Sequence, residues 1–115
     1  MTHKSDTICA LATAYGQSGI GVIRVTGPLA KFIAKKILHQ DLEARYAYYG
    51  SFFGDKNHVI DKGVAIVFPG PNSYTGEDVV EFQGHGGISV TRKLLETIIS
   101  LDVRLAEPGE FTKRS

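Results

Sequence analysis

Apolar residues recur along the chain with two different periods, and the switches between them divide it into elements. Leu29, Ile33 and Ile37 fall at i, i+4 and i+8, with Phe32 beside them and Lys31 and Lys35 facing away. That spacing predicts an amphipathic helix of about three turns. Gly27 suits its N-cap, and Pro28 its first helical position, where a missing N–H costs nothing. Val90, Leu94, Ile98 and Leu101, widened by Leu95, predict a second helix over residues 89–101. Between and around these lie strand-like runs. Residues 7–13 are β-branched and small, and 22–25 follow after Gly16, Gly19 and Gly21. Residues 46–53 are aromatic and meet a second β run through Gly54-Asp55-Lys56-Asn57, a hairpin turn composition. Residues 64–68 are continuously apolar, as for a strand buried on both faces. Residues 78–83 and 103–106 complete the set, while Pro69-Gly70-Pro71-Asn72-Ser73 cannot be regular structure. The order ββαβββαβ predicts an α+β fold: a mixed, mostly antiparallel sheet of five or six strands with two helices.

Composition narrows the class without naming a function. With 115 residues, 43% of them apolar and 22% charged, the chain has the profile of one soluble globular domain spanning residues 1–115. The formal charge is +1, and its two halves, 1–57 and 58–115, carry +3 and −2. That balance disfavours RNA binding by this domain alone, since phosphate contacts need clustered Lys and Arg. Cys9 is the single cysteine, which excludes an internal disulfide and a cysteine-zinc cluster. The apolar stretch 8–12 is too short for a secretory signal, so a cytosolic setting is expected. Gly109-Glu110-Phe111-Thr112-Lys113-Arg114-Ser115 looks like the start of a helix. We read the chain as an excised domain with a helical continuation, the alternative being a frayed natural terminus.

Most catalytic signatures are missing from the sequence. It holds no phosphate-cradling Gly-x-x-x-x-Gly-Lys-Ser/Thr run, and its early glycines miss the dinucleotide fingerprint. His3, His39, His58 and His85 lack ligand-like spacing, and Cys9 lies in an apolar run where a thiol is inert.

Two regions stand out. Gly84-His85-Gly86-Gly87 joins a strand to a helix, where unpaired N–H groups suit an anion or oxyanion. The plainer reading is a tight turn with His85 capping or packing. The stretch PGPNSYTGEDVVE, residues 69–81, is a polar loop feeding a strand with three acids. Strand alternation puts Val79, Glu81 and Gln83 on one face and Asp78, Val80 and Phe82 on the other. A carboxylate among apolar neighbours needs a partner, and Arg24, between Ile23 and Val25, is suited to supply it. The pair is then either a structural ion pair or two head groups lining a cleft.

Asp6-Thr7-Ile8, Ala12-Thr13, GIGVIRVTG, FPGPNSYTGEDVVEFQGHGG and RLAEPGEFTKR, in that order from Asp6 to Arg114, resemble the N-terminal domain of the MnmE (TrmE) family of tRNA-modification GTPases. The resemblance implies a fold like the tetrahydrofolate-binding domain of aminomethyltransferases. It also implies a cytoplasmic homodimer joined through this domain and a partner, the FAD-dependent MnmG. Together the two modify carbon 5 of the wobble uridine in tRNA. The implied ligand of this domain is 5-formyl- or 5,10-methylene-tetrahydrofolate, the one-carbon source. GTP, magnesium and potassium belong to a GTPase domain outside this chain. By the same resemblance the folate contacts fall on Arg24 and Glu81, with Asn72, Tyr74, Thr75 and His85 as neighbours. A third family contact, a lysine downstream of PGEFTKR, has no counterpart here.

No residue of the chain is nominated as catalytic and none as a metal ligand. The leading expectation is a folate-binding module, and the alternative is a purely structural dimerisation module without its own ligand. A hydrolase built on His85 would need a nucleophile that the sequence does not nominate.

Overall fold

The computed structural model describes residues 6–12 and 21–114. The elements are β1 (Ile8–Leu11), β2 (Gly21–Thr26), α1 (Ala30–Leu38), β3 (Tyr48–Phe53), β4 (Val59–Phe68), β5 (Val79–Gly84), α2 (Gly87–Ile99), β6 (Arg104–Leu105) and α3 (Glu110–Arg114). The strands form one sheet in the order β3-β4-β5-β2-β1-β6. Neighbours run antiparallel except β1 and β6, which run parallel. This is the α+β fold with a mixed, mostly antiparallel sheet that the pattern predicts. A short third helix, α3, forms where residues 109–114 read as a helix start. The turn expected around Gly16 and Gly19 lies outside the described residues.

The two faces of the sheet differ, and that difference places the site. Ile23 and Val25 on β2 stand opposite Phe82 and Val80 on β5, which stand opposite Ala65 and Val67 on β4. All six are buried, and α1 and α2 pack on them through Ile33, Ile37, Leu94 and Ile98. Phe52 meets Phe82 edge to face at 5.5 Å, a favoured aromatic geometry. Burying side chains of this size contributes about 1.5–3 kcal/mol each. The other face carries Arg24, Glu81 and Ile66 in one cross-strand row. α1 and α2 leave that face free, so Val64, Ile66 and Phe68 are half-buried rather than buried. The expectation that residues 64–68 are buried on both faces is therefore corrected. Such a run of apolar residues suits any strand whose second face is only partly covered.

Helix boundaries differ from the sequence reading for a common reason. α1 begins at Ala30, with Leu29 in the N-cap position in place of Gly27. The Leu29 N–H donates to Thr7 Oγ1 at 2.9 Å, so the cap comes from the residue before β1. Gly27 has φ 134° and lies so close to Thr7 that a Cβ there would meet its Cα at 2.6 Å. Its conformational freedom serves this crossing. At the other end His39 adopts φ 60° and stacks on Phe53 with centroids 3.9 Å apart. α2 runs over Gly87–Ile99, two residues earlier at each end than predicted. Asp61, on β4, takes the N–H groups of His85 and Gly86 and so moves the helix start forward.

Two glycines of a cross-strand row, Gly21 and Gly84, leave room for α2 and its cap. Gly50, Gly63, Gly84 and Gly21 stand opposite one another across β3, β4, β5 and β2. A Cβ on Gly21 would fall 2.3 Å from Thr91 Oγ1, and one on Gly84 2.3 Å from Asp61 Oδ2. The first turns of α2 and its cap occupy space that side chains would fill elsewhere. No described helix is long and apolar enough to cross a membrane.

Candidate functional site

Arg24 and Glu81 are directly opposed residues of β2 and β5 on the face that α1 and α2 leave free. Arg24 Nε donates to Glu81 Oε1 at 2.9 Å, and Gln83 Nε2 donates to Oε2 at 3.2 Å. The Glu81 side chain is 13% exposed and that of Arg24 46%. A mostly buried carboxylate is thus neutralised by a half-exposed guanidinium that bonds it through Nε. Strand alternation alone brings this about, since Glu81 and Gln83 share a face and the register sets Arg24 beside them.

Two cavities meet at Arg24. One of about 400 Å³ is walled by Arg24, Arg45, Phe68, Asn72, Tyr74 and Glu81, together with Ser73 and Val79. The second, about 440 Å³, lies between Ala10, Leu11, Arg24, Tyr74 and residues 105–112. Arg24 and Tyr74 line both. A larger groove of about 1000 Å³ lies on the helix side of the sheet, between α1, α2 and the β3–β4 turn. It shares no residue with the Arg24–Glu81 pair, and we place the site where that opposed pair converges.

The polar loop over residues 69–78 is held over the open face by its own contacts. Thr75 is buried, its hydroxyl 2.6 Å from that of Thr26. Thr26 also donates to Glu77 Oε1 at 3.2 Å, and Arg114 reaches the same oxygen at 3.2 Å. Gly70 N–H donates to Asp78 Oδ1 at 2.9 Å. α3 is fixed in turn by Arg104, which donates to both oxygens of Glu110 at 3.0 and 2.7 Å. That fork, reinforced by the Glu107 N–H, holds the Glu110 carboxyl down to about 2. Loop and helix are therefore tied to the sheet on either side of Tyr74, which is 58% exposed.

With this geometry in view, the comparison with known proteins is decisive for the family. A sequence model described as GTP-binding protein TrmE N-terminus matches residues 7–115.

The chain belongs to this family.

It is 57% identical over its full 115 residues to a protein of Vesicomyosocius okutanii named tRNA modification GTPase MnmE, covering 26% of that protein. It is 51% identical over the same length to a protein of that name from Pseudomonas fluorescens strain Pf0-1, covering 25% of it. The chain thus spans about a quarter of the length of the curated relatives it matches.

In this TrmE N-terminal domain the structure gathers some of the residues singled out from sequence and separates others. Arg24, Glu81, Asn72 and Tyr74 line one cavity. Thr75 lines neither that cavity nor its neighbour, because its hydroxyl is turned onto Thr26. His85 is exposed beyond the end of β5, and its backbone N–H is bound to Asp61 at 3.0 Å. The N–H groups that made the glycine turn a candidate anion site are occupied by a carboxylate of the same chain. Cys9 is fully buried in β1, and burial pushes its thiol up to about 11, far from a nucleophile's range.

Sequence reasoning missed Arg45, Phe68 and Gln83. Gln83 could have been found, since it shares the Glu81 face two residues on. Arg45 carried no signal: it precedes an aromatic strand in an irregular segment, and only the tertiary fold brings it over Phe68, 6.0 Å from the ring centre.

Proposed function

We propose that this chain is the tetrahydrofolate-binding and homodimerisation part of a longer cytoplasmic GTPase. In this reading the whole protein, together with the FAD-dependent MnmG, modifies carbon 5 of the wobble uridine in tRNA. The observation that carries it is the Arg24–Glu81 pair, opposed in register on the wall of one open cavity, with Arg24 also lining a second. The relatives' name, tRNA modification GTPase MnmE, supports the activity of the whole protein.

The site chemistry fits a reduced folate, either the 5-formyl or the 5,10-methylene form. A pterin presents an aminopyrimidinone edge with two adjacent N–H donors, and a carboxylate accepts both in parallel. Glu81 is held for this by Arg24 and Gln83, each bonded to a different oxygen. The outer nitrogens of Arg24 are left to take a carbonyl or carboxylate of the ligand. Asn72 and Tyr74 form the adjoining wall, and Tyr74 offers a ring face on which a pterin stacks. Thr75 and His85 act structurally, in loop anchoring and at the entry to α2. The domain positions a one-carbon donor, and GTP with magnesium and potassium acts in a part of the protein outside this chain.

The test is calorimetric titration of the chain with 5-formyl-tetrahydrofolate, with a Glu81→Gln variant beside it. Binding that weakens by one to two powers of ten in the variant is expected, since a charge-assisted bond contributes about 1.5–3 kcal/mol. Silence in both, repeated on a chain extended through the following segment, sinks the folate reading. A purely structural dimerisation module would then remain, and sedimentation would show dimers without any ligand dependence.

A further inference from the structure

Arg45 is the one cation lining the 400 Å³ cavity without a carboxylate partner among the described residues. Its position is set by the backbone: it takes φ 67°, and its N–H donates to the Val67 carbonyl at 2.8 Å, pinning it beside β4. Its Nη2 donates to the Asn72 carbonyl, and the guanidinium lies over Phe68 at 6.0 Å. A guanidinium offers five N–H donors in a fixed fork, and the Asn72 carbonyl uses one of them. The charges around this cavity therefore do not balance. Arg24 and Glu81 cancel, each Glu81 oxygen accepts one bond, from Arg24 or from Gln83, and Arg45 remains. An anionic group on a ligand would gain a charge-assisted pair with this exposed guanidinium, which a neutral or cationic ligand would not.

We infer that Arg45, backed by Phe68 and Asn72, is a carboxylate subsite of the cavity whose other wall is Glu81. The cavity is then bipolar, with an acceptor for a donor-rich head at Glu81 and a fork for an anionic tail at Arg45. Two opposite recognition elements in one cavity select a ligand with both ends in one molecule. This rests on the reduced-folate reading above, in which the head is the pterin and the tail is the glutamyl group with its two carboxylates. It assigns that tail to Arg45 and leaves Arg24 to hold Glu81 and the head.

The test compares 5-formyl-tetrahydrofolate with its dimethyl ester, in which the head is intact and both tail carboxylates are masked. The native chain and Arg45→Gln and Arg45→Lys variants are titrated with each. The native chain is expected to prefer the free acid about tenfold, with Arg45→Gln binding acid and ester alike. Arg45→Lys should recover part of the preference, since the charge remains and the fork is lost. Arg45 is exposed and anchored by its backbone N–H, so thermal denaturation of both variants should match the native chain. Equal binding of acid and ester by the native chain overturns the subsite while leaving the folate reading intact. A preference that survives in Arg45→Gln does the same. Failure of both compounds to bind the native chain, repeated on a chain extended through the following segment, overturns the folate reading, and the subsite with it.

Discussion

Asp61 Oδ2 accepts the backbone N–H of His85 at 3.0 Å, and that of Gly86 at 2.9 Å, so a residue of β4 closes the entry to α2. The arrangement assigns stability to Asp61 and little to the His85 side chain, which is exposed. Removing a capping carboxylate costs about 1–2 kcal/mol. Asp61→Ala should therefore lower the unfolding free energy measured in urea by that amount, whereas His85→Ala should stay within about 0.5 kcal/mol of the native chain. Equal losses in the two variants would give the imidazole a role that its position does not explain.

The glycine row makes a sharper prediction about α2. Gly21→Ala brings its Cβ to 2.3 Å from Thr91 Oγ1, a side-chain atom that a second substitution removes. Gly63→Ala brings its Cβ to 1.9 Å from the backbone carbonyl of Gln83, which no side-chain change relieves. Both should destabilise by about 1–3 kcal/mol. Adding Thr91→Ala should recover part of the first loss and none of the second. Denaturation of the two double variants checks this, and equal recovery would contradict the close approach of α2 to β2.

Glu110 supplies a pH signature. Its carboxyl is held at about 2 by Arg104, the Glu107 N–H and Arg114, below its ordinary value of 4.5. The unfolded chain takes up this proton more readily, so the stability that the group contributes is complete above about pH 4.5 and is lost as pH falls towards 2. A Glu110→Gln variant should melt a few degrees below the native chain at pH 7, and the gap should narrow steadily between pH 4.5 and 2. A gap that is constant across this range would mean that Glu110 acts through packing instead of charge.

What the sequence disclosed follows from how local each cause is. The amphipathic faces of α1 and α2, the hairpin turn and the placement of Glu81 and Gln83 on one strand face depend on neighbours within one element. They were legible for that reason, and the Arg24–Glu81 partnership followed from the cost of burying a lone carboxylate. The helix starts were displaced because Thr7 and Asp61, which supply the capping oxygens, lie far off in sequence, just before β1 and on β4. The semi-open face of β4 was misjudged because an apolar run does not tell how many layers cover it. Thr75 read as a site neighbour from its loop, yet its hydroxyl is committed to Thr26. Arg45 was invisible, since its place depends on an irregular segment docking against β4.

The Arg24–Glu81 pair allows stability and recognition to be separated. Arg24→Gln leaves the Glu81 carboxylate, 13% exposed, with Gln83 as its remaining partner, and should cost about 1–2 kcal/mol. Glu81→Gln leaves Arg24 half exposed to water and should cost less, because a solvated guanidinium needs no protein partner. In the double variant two neutral amides can bond across the same register, so most of the stability should return. Recognition should not return, because an amide offers one acceptor where the ligand head needs a carboxylate with two. Parallel denaturation and folate titration of the three variants therefore distinguish the two roles of the pair. Binding restored along with stability in the double variant would reduce the pair to a structural ion pair and favour the module without a ligand.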